Sequence, residues 1–474
     1  MTFTTPIFFL FLVITLVLYF ILNRHYRYQN LLLLTVGYSS YGLWDWRFLI
    51  LLIATTVINF AMGGAISKSL NPSHKKIYLN IAIVWTLLVL GIFKYFDFFS
   101  GSVNNLLLTF NFHLDPVLLK VILPLGISFY SFQALTYPFD IYRGKTILHK
   151  INLFDFALFV SFFPIIISGP IERATHLLPQ LCETRKLNLD NIKIGITLII
   201  WGYFQKLIIA DNLAAIVNQV FDNYAKFNGL DIVIAVLAYT FQIYSDFSGY
   251  TDIARGVAKL LGFDIILNFN LPYIAINPSD FWARWNISLS SWFRDYLYIP
   301  LGGNRKGSFR TGLNLIATMT LCGLWHGAAW TFILWGFYHG VLLVIYRIFN
   351  SGLKAARTIK DAKLYSTIIS ILLMFILIAC GWAIFRSTSL TQVAYMFTHM
   401  NLTTSIYTNE FAWKLLYFTL PVIVFYAVKI KAGNVALKVA NMNPWVLGLM
   451  CGIIVAVIII FWPREIPRFI YQGF

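Results

Sequence analysis

Long apolar segments recur along the whole chain, and they constrain its fold more than any other feature. The candidate spans are residues 6–22, 30–43, 47–66, 77–98, 117–138, 193–214, 231–249, 311–329, 331–349, 364–385, 413–429 and 444–462. A helix of about 20 apolar residues crosses the roughly 30 Å hydrocarbon core of a bilayer. Since that core holds no water to pair backbone groups, such segments span it as helices. The sequence therefore predicts an all-α, polytopic transmembrane helical bundle of about 11–12 spans.

The composition supports one membrane domain and argues against a soluble protein. Charged residues make up only 12% of the 474 residues, whereas soluble domains contain roughly 25%. No polar linker long enough to separate soluble domains interrupts the apolar segments. We expect a single integral-membrane domain over 1–474, with N-terminal spans over 6–116, a core over 117–350, and C-terminal spans with a short aromatic tail over 351–474.

The net charge of +17 belongs to short loops between the apolar segments and does not form a basic stripe. This distribution follows the positive-inside rule and does not predict nucleic-acid binding. The loops 99–116 and 217–230 contain almost no Lys or Arg, and the basic loops alternate with them. The sequence therefore predicts a multi-pass protein whose N-terminus lies outside and whose basic loops face the cytoplasm.

Two segments depart from the spanning pattern. Residues 152–170 end at Ser168-Gly169-Pro170 and have basic loops on both sides, which favours a re-entrant segment that enters and leaves on one side. The second segment runs from Ser279 to Ile299, where large apolar side chains recur at helical spacing: Trp282, Trp285, Leu289, Trp292, Phe293 and Tyr296. This pattern predicts an amphipathic helix in the membrane interface or packed under the bundle.

The block Trp325-His326-Gly327 places an ionisable imidazole inside an apolar segment, where such a group is costly and usually paired or functional. Two explanations fit His326: a buried neutral imidazole that donates to a backbone carbonyl, or a general base with a pKa near neutrality. The small residue Gly327 would let a substrate or another helix approach closely. His339 follows thirteen positions later, some 140° away on a continuous helix, which favours a structural role.

Four further features have both a structural and a functional interpretation. Asn286 is either an exposed amide or a group that orients His326. The carboxylates in Tyr244–Asp252 either cap a helix, brace loops or contact substrate. Arg305, Lys306 and Arg310 either determine topology or bind the phosphates of coenzyme A. The aromatic end 467–474, which includes Tyr471, is either an interfacial anchor or brings the Tyr471 hydroxyl into a funnel open to the outside. The histidines and the four cysteines lack metal-ligand spacing, so no metal site is predicted.

Seven motifs in their order along the chain resemble the membrane-bound O-acyltransferase (MBOAT) superfamily, in particular its bacterial branch for O-acetylation of alginate and peptidoglycan. They are Pro124–Tyr130, Asp140–Gly144, Ser168–Pro170, Asp211–Leu213, Phe241–Tyr250, Asp280–Asn304 and Trp325–Gly327. Each motif alone is of modest specificity, and the ordered set is highly specific.

The resemblance implies an MBOAT fold and an O-acyltransferase in the bacterial cytoplasmic (inner) membrane. It assigns the family's essential histidine to His326 and matches a second catalytic position, often His in this branch, to Asn286. Trp325, Arg143 and His339 would be supporting residues, and Tyr471 a candidate acyl acceptor.

The same resemblance implies the molecules that the protein would meet. Acetyl-CoA or another acyl-CoA would be a substrate rather than a bound cofactor. An extracytoplasmic SGNH-type acetyltransferase would be the partner, since the chain contains no GxSxG elbow. A cell-envelope polysaccharide would be the final acceptor, and membrane lipid would surround the bundle.

Other activities stay open at this point: D-alanyl transfer to teichoic acid, acylation of lipids, or transport of a polysaccharide precursor without catalysis. Transporters tend to have paired repeats with helices broken at corresponding positions. We find no such repeat in the sequence, and an enzyme is the preferred hypothesis.

Overall fold

The structure is a computed structural model that describes residue 3 and residues 6–22, 25–113, 115–145, 151–185, 188–352, 364–433, 435–462 and 469–470. These ranges contain twenty α-helices and no β-strand. The helices are α1 (Pro6–Ile21), α2 (Tyr26–Gly42), α3 (Trp46–Lys68), α4 (Pro72–Leu90), α5 (Phe96–Thr109), α6 (Ile127–Tyr142), α7 (Leu153–Ser161), α8 (Ala174–Leu181), α9 (Leu189–Tyr203), α10 (Asp211–Phe221), α11 (Leu230–Leu260), α12 (Pro278–Arg284), α13 (Ile287–Phe293), α14 (Gly307–His326), α15 (Trp330–Gly352), α16 (Leu364–Arg386), α17 (Leu390–Thr398), α18 (Thr408–Ala432), α19 (Val435–Ala440) and α20 (Pro444–Ile460).

The prediction of an all-α polytopic membrane protein is confirmed. Seven helical segments of the described chain are long and apolar enough to cross a membrane: Trp46–Lys68, Pro72–Thr109, Leu189–Phe221, Leu230–Leu260, Trp330–Phe349, Leu364–Arg386 and Thr408–Ala432. This count is lower than the predicted 11–12. One reason is that α1, α2, α6 and α20 are only 16 or 17 residues long.

The predicted span 117–138 is wrong in its first half. Residues 115–126 contain no helix, and α6 begins only at Ile127. Pro124 cannot donate a backbone hydrogen bond, and Gly126 adopts a left-handed conformation with φ +68°. A Cβ atom at Gly126 would lie 2.2 Å from the carbonyl oxygen of Ile166, so only glycine fits this turn.

The segment 152–170, predicted to be re-entrant, contains the short helix α7. Asn152 caps this helix by accepting the backbone N–H of Asp155 at 2.9 Å. Nine residues extend about 14 Å, which is less than half of the hydrocarbon thickness. The segment therefore does not cross a bilayer as one helix, and the side from which it enters stays a prediction.

The predicted amphipathic helix over 279–299 is two short helices, α12 and α13, followed by a π-helical segment, Arg294–Tyr298. The break falls at Asn286, whose φ is +41°, because asparagine tolerates the left-handed region better than most residues. The predicted apolar face is confirmed, since all six of its large side chains are buried: Trp282, Trp285, Leu289, Trp292, Phe293 and Tyr296.

The chain divides into two compact units. The first contains residues 1–199 and 251–266, and the second contains residues 200–250 and 267–474. In the first unit α3 packs on α6, and Gly63 makes room for the ring of Tyr137. The second unit contains both predicted catalytic residues. The three sections proposed from the sequence stay a prediction.

Candidate active site

His326 is the last residue of α14 and is 2% exposed. The chain leaves the helix at Gly327, where φ is −162° and ψ is 152°, and α15 begins at Trp330. The helix is thus interrupted between His326 and His339, and the 140° separation expected on a continuous helix does not apply. Because α14 and α15 pack against each other, side chains from both helices meet near His326.

Glycines allow α14 and α15 to approach closely. A Cβ atom at Gly323 would lie 2.1 Å from the carbonyl oxygen of Phe332, and one at Gly336 would lie 2.2 Å from that of Met319. A Cβ atom at Gly327 would meet the ring of Phe332 at 2.1 Å. The small residue after His326 therefore accommodates an aromatic ring of the neighbouring helix.

Three aromatic rings surround the imidazole of His326. Their centroids lie 5.1 Å away for Trp325, 5.1 Å for Trp335 and 5.4 Å for Phe385, and each meets the imidazole edge to face. The three rings are buried. Aromatic pairs in this geometry contribute about 0.5–1.5 kcal/mol beyond burial, so the surrounding rings restrict the orientation of the imidazole. Trp325, predicted to be a supporting residue, is one of them.

His339 is also buried and lies in an aromatic layer. Its ring stacks on Phe281 at an interplanar angle of 8° and meets Trp282 and Trp335 edge to face at 5.2 and 4.8 Å. A Cβ atom at Gly381 would lie 2.9 Å from Nε2 of His339. Trp335 contacts both histidines, so His339 packs against the same ring that packs on His326. A structural role for His339 stays a prediction.

Several buried donors in the second unit lack a hydrogen-bond acceptor among the described residues. Four of them lie in the aromatic cluster or next to it: the indole N–H groups of Trp282, Trp335 and Trp382 and the side-chain amide of Asn286. An unsatisfied buried donor costs about 1–3 kcal/mol, and natural proteins contain few of them. These groups are therefore candidates for binding a polar group of a ligand.

Asn286 is 2% exposed, so the alternative of an exposed amide is wrong. The backbone carbonyl oxygen of Asn286 accepts the backbone N–H of Ser290 at 2.9 Å. The preceding residue, Trp285, packs on Trp382 at 4.7 Å, and Trp382 stacks on Trp335 at 5.7 Å. A continuous row of indoles thus connects the backbone beside Asn286 with His326. Whether the amide orients the imidazole stays a prediction.

A cavity of about 1090 Å³ lies among the amphipathic segment, α14 and α15. It follows α14 from Ser308 to Cys322, fourteen residues or about 21 Å of helix. Cys322 is one turn before His326, and Trp282, which also lines the cavity, contacts His339. Typical ligand pockets measure about 300–1,000 Å³, so this cavity has room for a large, elongated ligand that reaches the aromatic cluster.

The positive charges of this cavity come from Arg294 and Arg347, which sequence reasoning did not single out as binding residues. Arg347 lies beyond Val344, and Val344 is close to Gly312 near the start of α14. The predicted donor-binding residues Arg305, Lys306 and Arg310 are exposed and are not among the lining residues. Their role in binding a donor stays a prediction.

Arg143 and Tyr471 are the two remaining predicted residues. Arg143 belongs to the first unit, follows α6 and is exposed, with its guanidinium 5.8 Å from the ring of Phe139. Tyr471 lies outside the described residues. The supporting role of Arg143 and the acceptor role of Tyr471 therefore stay predictions.

Residues 128–385 match the sequence model of the MBOAT, membrane-bound O-acyltransferase family. The chain belongs to this family. The matched range contains the α14–α15 hairpin, Asn286 and the cavity. The protein is therefore an O-acyltransferase, as the motifs indicated.

The names of similar proteins describe related activities. A probable alginate O-acetylase of Azotobacter vinelandii is 42% identical over 84% of this chain and 78% of its own length. A peptidoglycan O-acetyltransferase of Helicobacter pylori is 34% identical over 82% of this chain and 77% of its own. A teichoic acid D-alanyltransferase of Bacillus subtilis is 32% identical, over 55% of this chain and 68% of its own.

Proposed function

We propose that the protein O-acetylates a cell-envelope polysaccharide, with acetyl-CoA from the cytoplasmic side of the bacterial inner membrane as the acyl donor. The main support for this proposal is the cavity along α14. Its basic residues, Arg294 and Arg347, suit the phosphates of coenzyme A, and its apolar length suits the pantetheine arm. A thioester at the Cys322 end would lie one helical turn from His326.

In the proposed reaction, His326 is the general base. Its imidazole takes the proton of an acceptor hydroxyl while that oxygen attacks the thioester carbonyl carbon. The carbon–sulfur bond then breaks, and the imidazolium returns the proton to the leaving thiolate. General-base assistance of this kind contributes about 10²–10⁴-fold to the rate.

The buried donors fit the charge that develops in this step. The carbonyl oxygen becomes negative in the tetrahedral intermediate, and fixed N–H donors stabilise such an oxyanion. The side-chain amide of Asn286 and the indole N–H of Trp335 are donors of this kind without an acceptor in the described structure. Asn286 would orient either the imidazole or the thioester carbonyl.

The acceptor hydroxyl is assigned to Tyr471, which would pass the acetyl group to an extracytoplasmic SGNH-type partner and from there to the polysaccharide. O-acetylation is preferred to D-alanyl transfer because the O-acetylating relatives align with 84% and 82% of this chain, against 55% for the D-alanyltransferase. The names of these relatives support an envelope polysaccharide as the substrate class.

Transfer of labelled acetyl from acetyl-CoA by the protein in lipid vesicles tests the catalytic assignment. We expect His326→Ala to lower the rate about 10²–10⁴-fold while the protein still inserts and folds. His74→Ala, at an exposed position of α4, is the control and should keep the wild-type rate. Full activity of His326→Ala would rule out the general base, and absence of any transfer by wild type would favour a transporter.

A second experiment tests the acceptor. Mass spectrometry after incubation with labelled acetyl-CoA should locate the label on Tyr471, and Tyr471→Phe, which removes only the hydroxyl, should lose both the label and polysaccharide acetylation. Unchanged acetylation by Tyr471→Phe would eliminate Tyr471 as the acceptor and leave the role of His326 intact.

A further inference from the structure

Three charged side chains are buried together in the second unit. The ammonium of Lys206 lies 2.8 Å from a carboxylate oxygen of Asp211 and 2.6 Å from Oδ1 of Asp246, and all three side chains are at most 7% exposed. Lys206 belongs to a π-helical segment, Phe204–Ala210, a geometry found frequently at functional sites. Buried ion pairs are expensive, so this cluster calls for a role beyond stability.

The chain beyond α20 returns to this cluster. The backbone N–H of Ile470 donates to Oδ2 of Asp246 at 2.8 Å, while Oδ1 of the same carboxylate faces Lys206. The ring of Phe469 stacks on Tyr250 with centroids 4.6 Å apart and also lies 6.0 Å from Phe247. Phe469 is only 6% exposed, so these two residues are docked on α11.

The docking point lies deep along a membrane-spanning helix. Asp246 is in the middle of α11, fifteen residues or about 22 Å from Asp231 in its first turn. A backbone N–H at that depth has to find an acceptor within the protein. Oδ2 of Asp246 is that acceptor.

We propose that Asp246 is a positioning residue that fixes Phe469 and Ile470 against α11 and thereby presents the next residue, Tyr471, for acyl transfer. This inference rests on the proposed acceptor role of Tyr471. Lys206 holds the Asp246 carboxylate in place through Oδ1, which leaves Oδ2 to accept from the tail. The stacking of Phe469 on Tyr250 supplies the apolar part of the contact.

Limited proteolysis of the full-length protein in detergent tests the docking directly. Chymotrypsin cleaves after Phe469 only when that segment detaches from α11. We expect Asp246→Leu to accelerate this cleavage about ten-fold or more, because it removes a hydrogen bond to a charged acceptor. Cleavage at the wild-type rate in Asp246→Leu would overturn the proposal.

Matched variants separate this contact from the stability of the cluster. Asp211→Leu also removes one carboxylate from Lys206 and leaves one ion pair, but it does not touch the tail, so Phe469 should stay protected. Asp246→Asn keeps a side-chain oxygen that can accept the Ile470 N–H and should restore protection. Equal exposure of Phe469 in Asp211→Leu and Asp246→Leu would mean a general loss of structure and would overturn the proposal.

Transfer activity distinguishes the inference from the function on which it rests. Asp246→Leu should lower the turnover number for acceptor acetylation while the KM for acetyl-CoA stays unchanged, and Asp246→Asn should recover the turnover. Detached Phe469 with unchanged turnover would overturn the positioning role. Unchanged turnover in Tyr471→Phe, with Phe469 still protected, would instead overturn the acceptor role and leave the docking of the tail in place.

Discussion

The indole of Trp335 meets the imidazole of His326 edge to face, with centroids 5.1 Å apart and an interplanar angle of 89°. The same indole lies 4.8 Å from His339 and is fully buried. Trp335 therefore stands between the two histidines of the α14–α15 hairpin, and it determines how freely the imidazole of His326 can turn.

Replacement of Trp335 should slow acyl transfer without unfolding the protein. Both Trp335→Leu and Trp335→Phe remove the indole N–H, but Trp335→Leu also removes the aromatic edge that restrains His326, and the loss of that contact, about 0.5–1.5 kcal/mol, corresponds to a rate up to about ten-fold lower than that of Trp335→Phe. Trp335→Phe keeps an aromatic ring and should retain more activity than Trp335→Leu. Vesicle assays with labelled acetyl-CoA measure both rates, and equal rates for the two variants would contradict the restraint.

The sequence predicted the helical segments that form this site but not the contacts between them. Apolar patterning indicated α14 and α15, and the spacing of large side chains predicted the buried face of the amphipathic segment. The contact of Trp335 with both histidines depends on the interruption between Gly327 and Ala329 and on the close approach at Gly323 and Gly336. A helical period describes one helix at a time, and it contains no information about such a break.

Long-range contacts were missed for the same reason. Asp246 and Ile470 are 224 positions apart, and no local pattern links a carboxylate in α11 to an N–H beyond α20. Arg294 and Arg347 resembled ordinary topology determinants, because their common cavity exists only after α14 and α15 have packed. The sequence showed only that one basic residue lies in the amphipathic segment and another near the end of α15, which did not indicate that the two share a cavity.

His339 should tolerate an aromatic replacement that His326 does not tolerate. The ring of His339 stacks on Phe281 and meets Trp282 and Trp335, so a phenyl ring of similar shape preserves most of these contacts. We expect His339→Phe to keep acyl transfer near the wild-type rate, while His326→Phe loses about 10²–10⁴-fold. If His339→Phe is as inactive as His326→Phe in folded protein, His339 has a chemical role.

The pair His176–Glu172 should make stability depend on pH. Nδ1 of His176 lies 2.7 Å from the buried carboxylate of Glu172, and this hydrogen bond raises the pKa of His176 above its usual 6.5. A raised folded-state pKa stabilises the fold below the unfolded pKa, and the contribution is lost as pH rises through the folded-state pKa. Since the His176 side chain is 41% exposed, the contribution is at most about 1 kcal/mol.

The melting temperature in detergent, measured between about pH 6 and about pH 9, checks this dependence. His176→Gln should lower the melting temperature at the acidic end and leave the alkaline end nearly unchanged. His74→Gln, at an exposed position of the same unit, should follow wild type at both ends. An equal shift of His176→Gln across the whole range would point to packing rather than charge.

Arg347 should recognise the phosphates of the donor and not its acyl arm. Arg347→Ala is expected to raise the KM for acetyl-CoA about ten-fold or more, because it removes a charge-assisted hydrogen bond. The KM for acetyl-pantetheine, which lacks the nucleotide phosphates, should stay unchanged. Arg310→Ala, at an exposed position in the first turn of α14 and outside the cavity lining, is the comparison. If Arg310→Ala and not Arg347→Ala raises the KM for acetyl-CoA alone, the donor phosphates bind near the start of α14 outside the cavity, and the cavity serves another ligand.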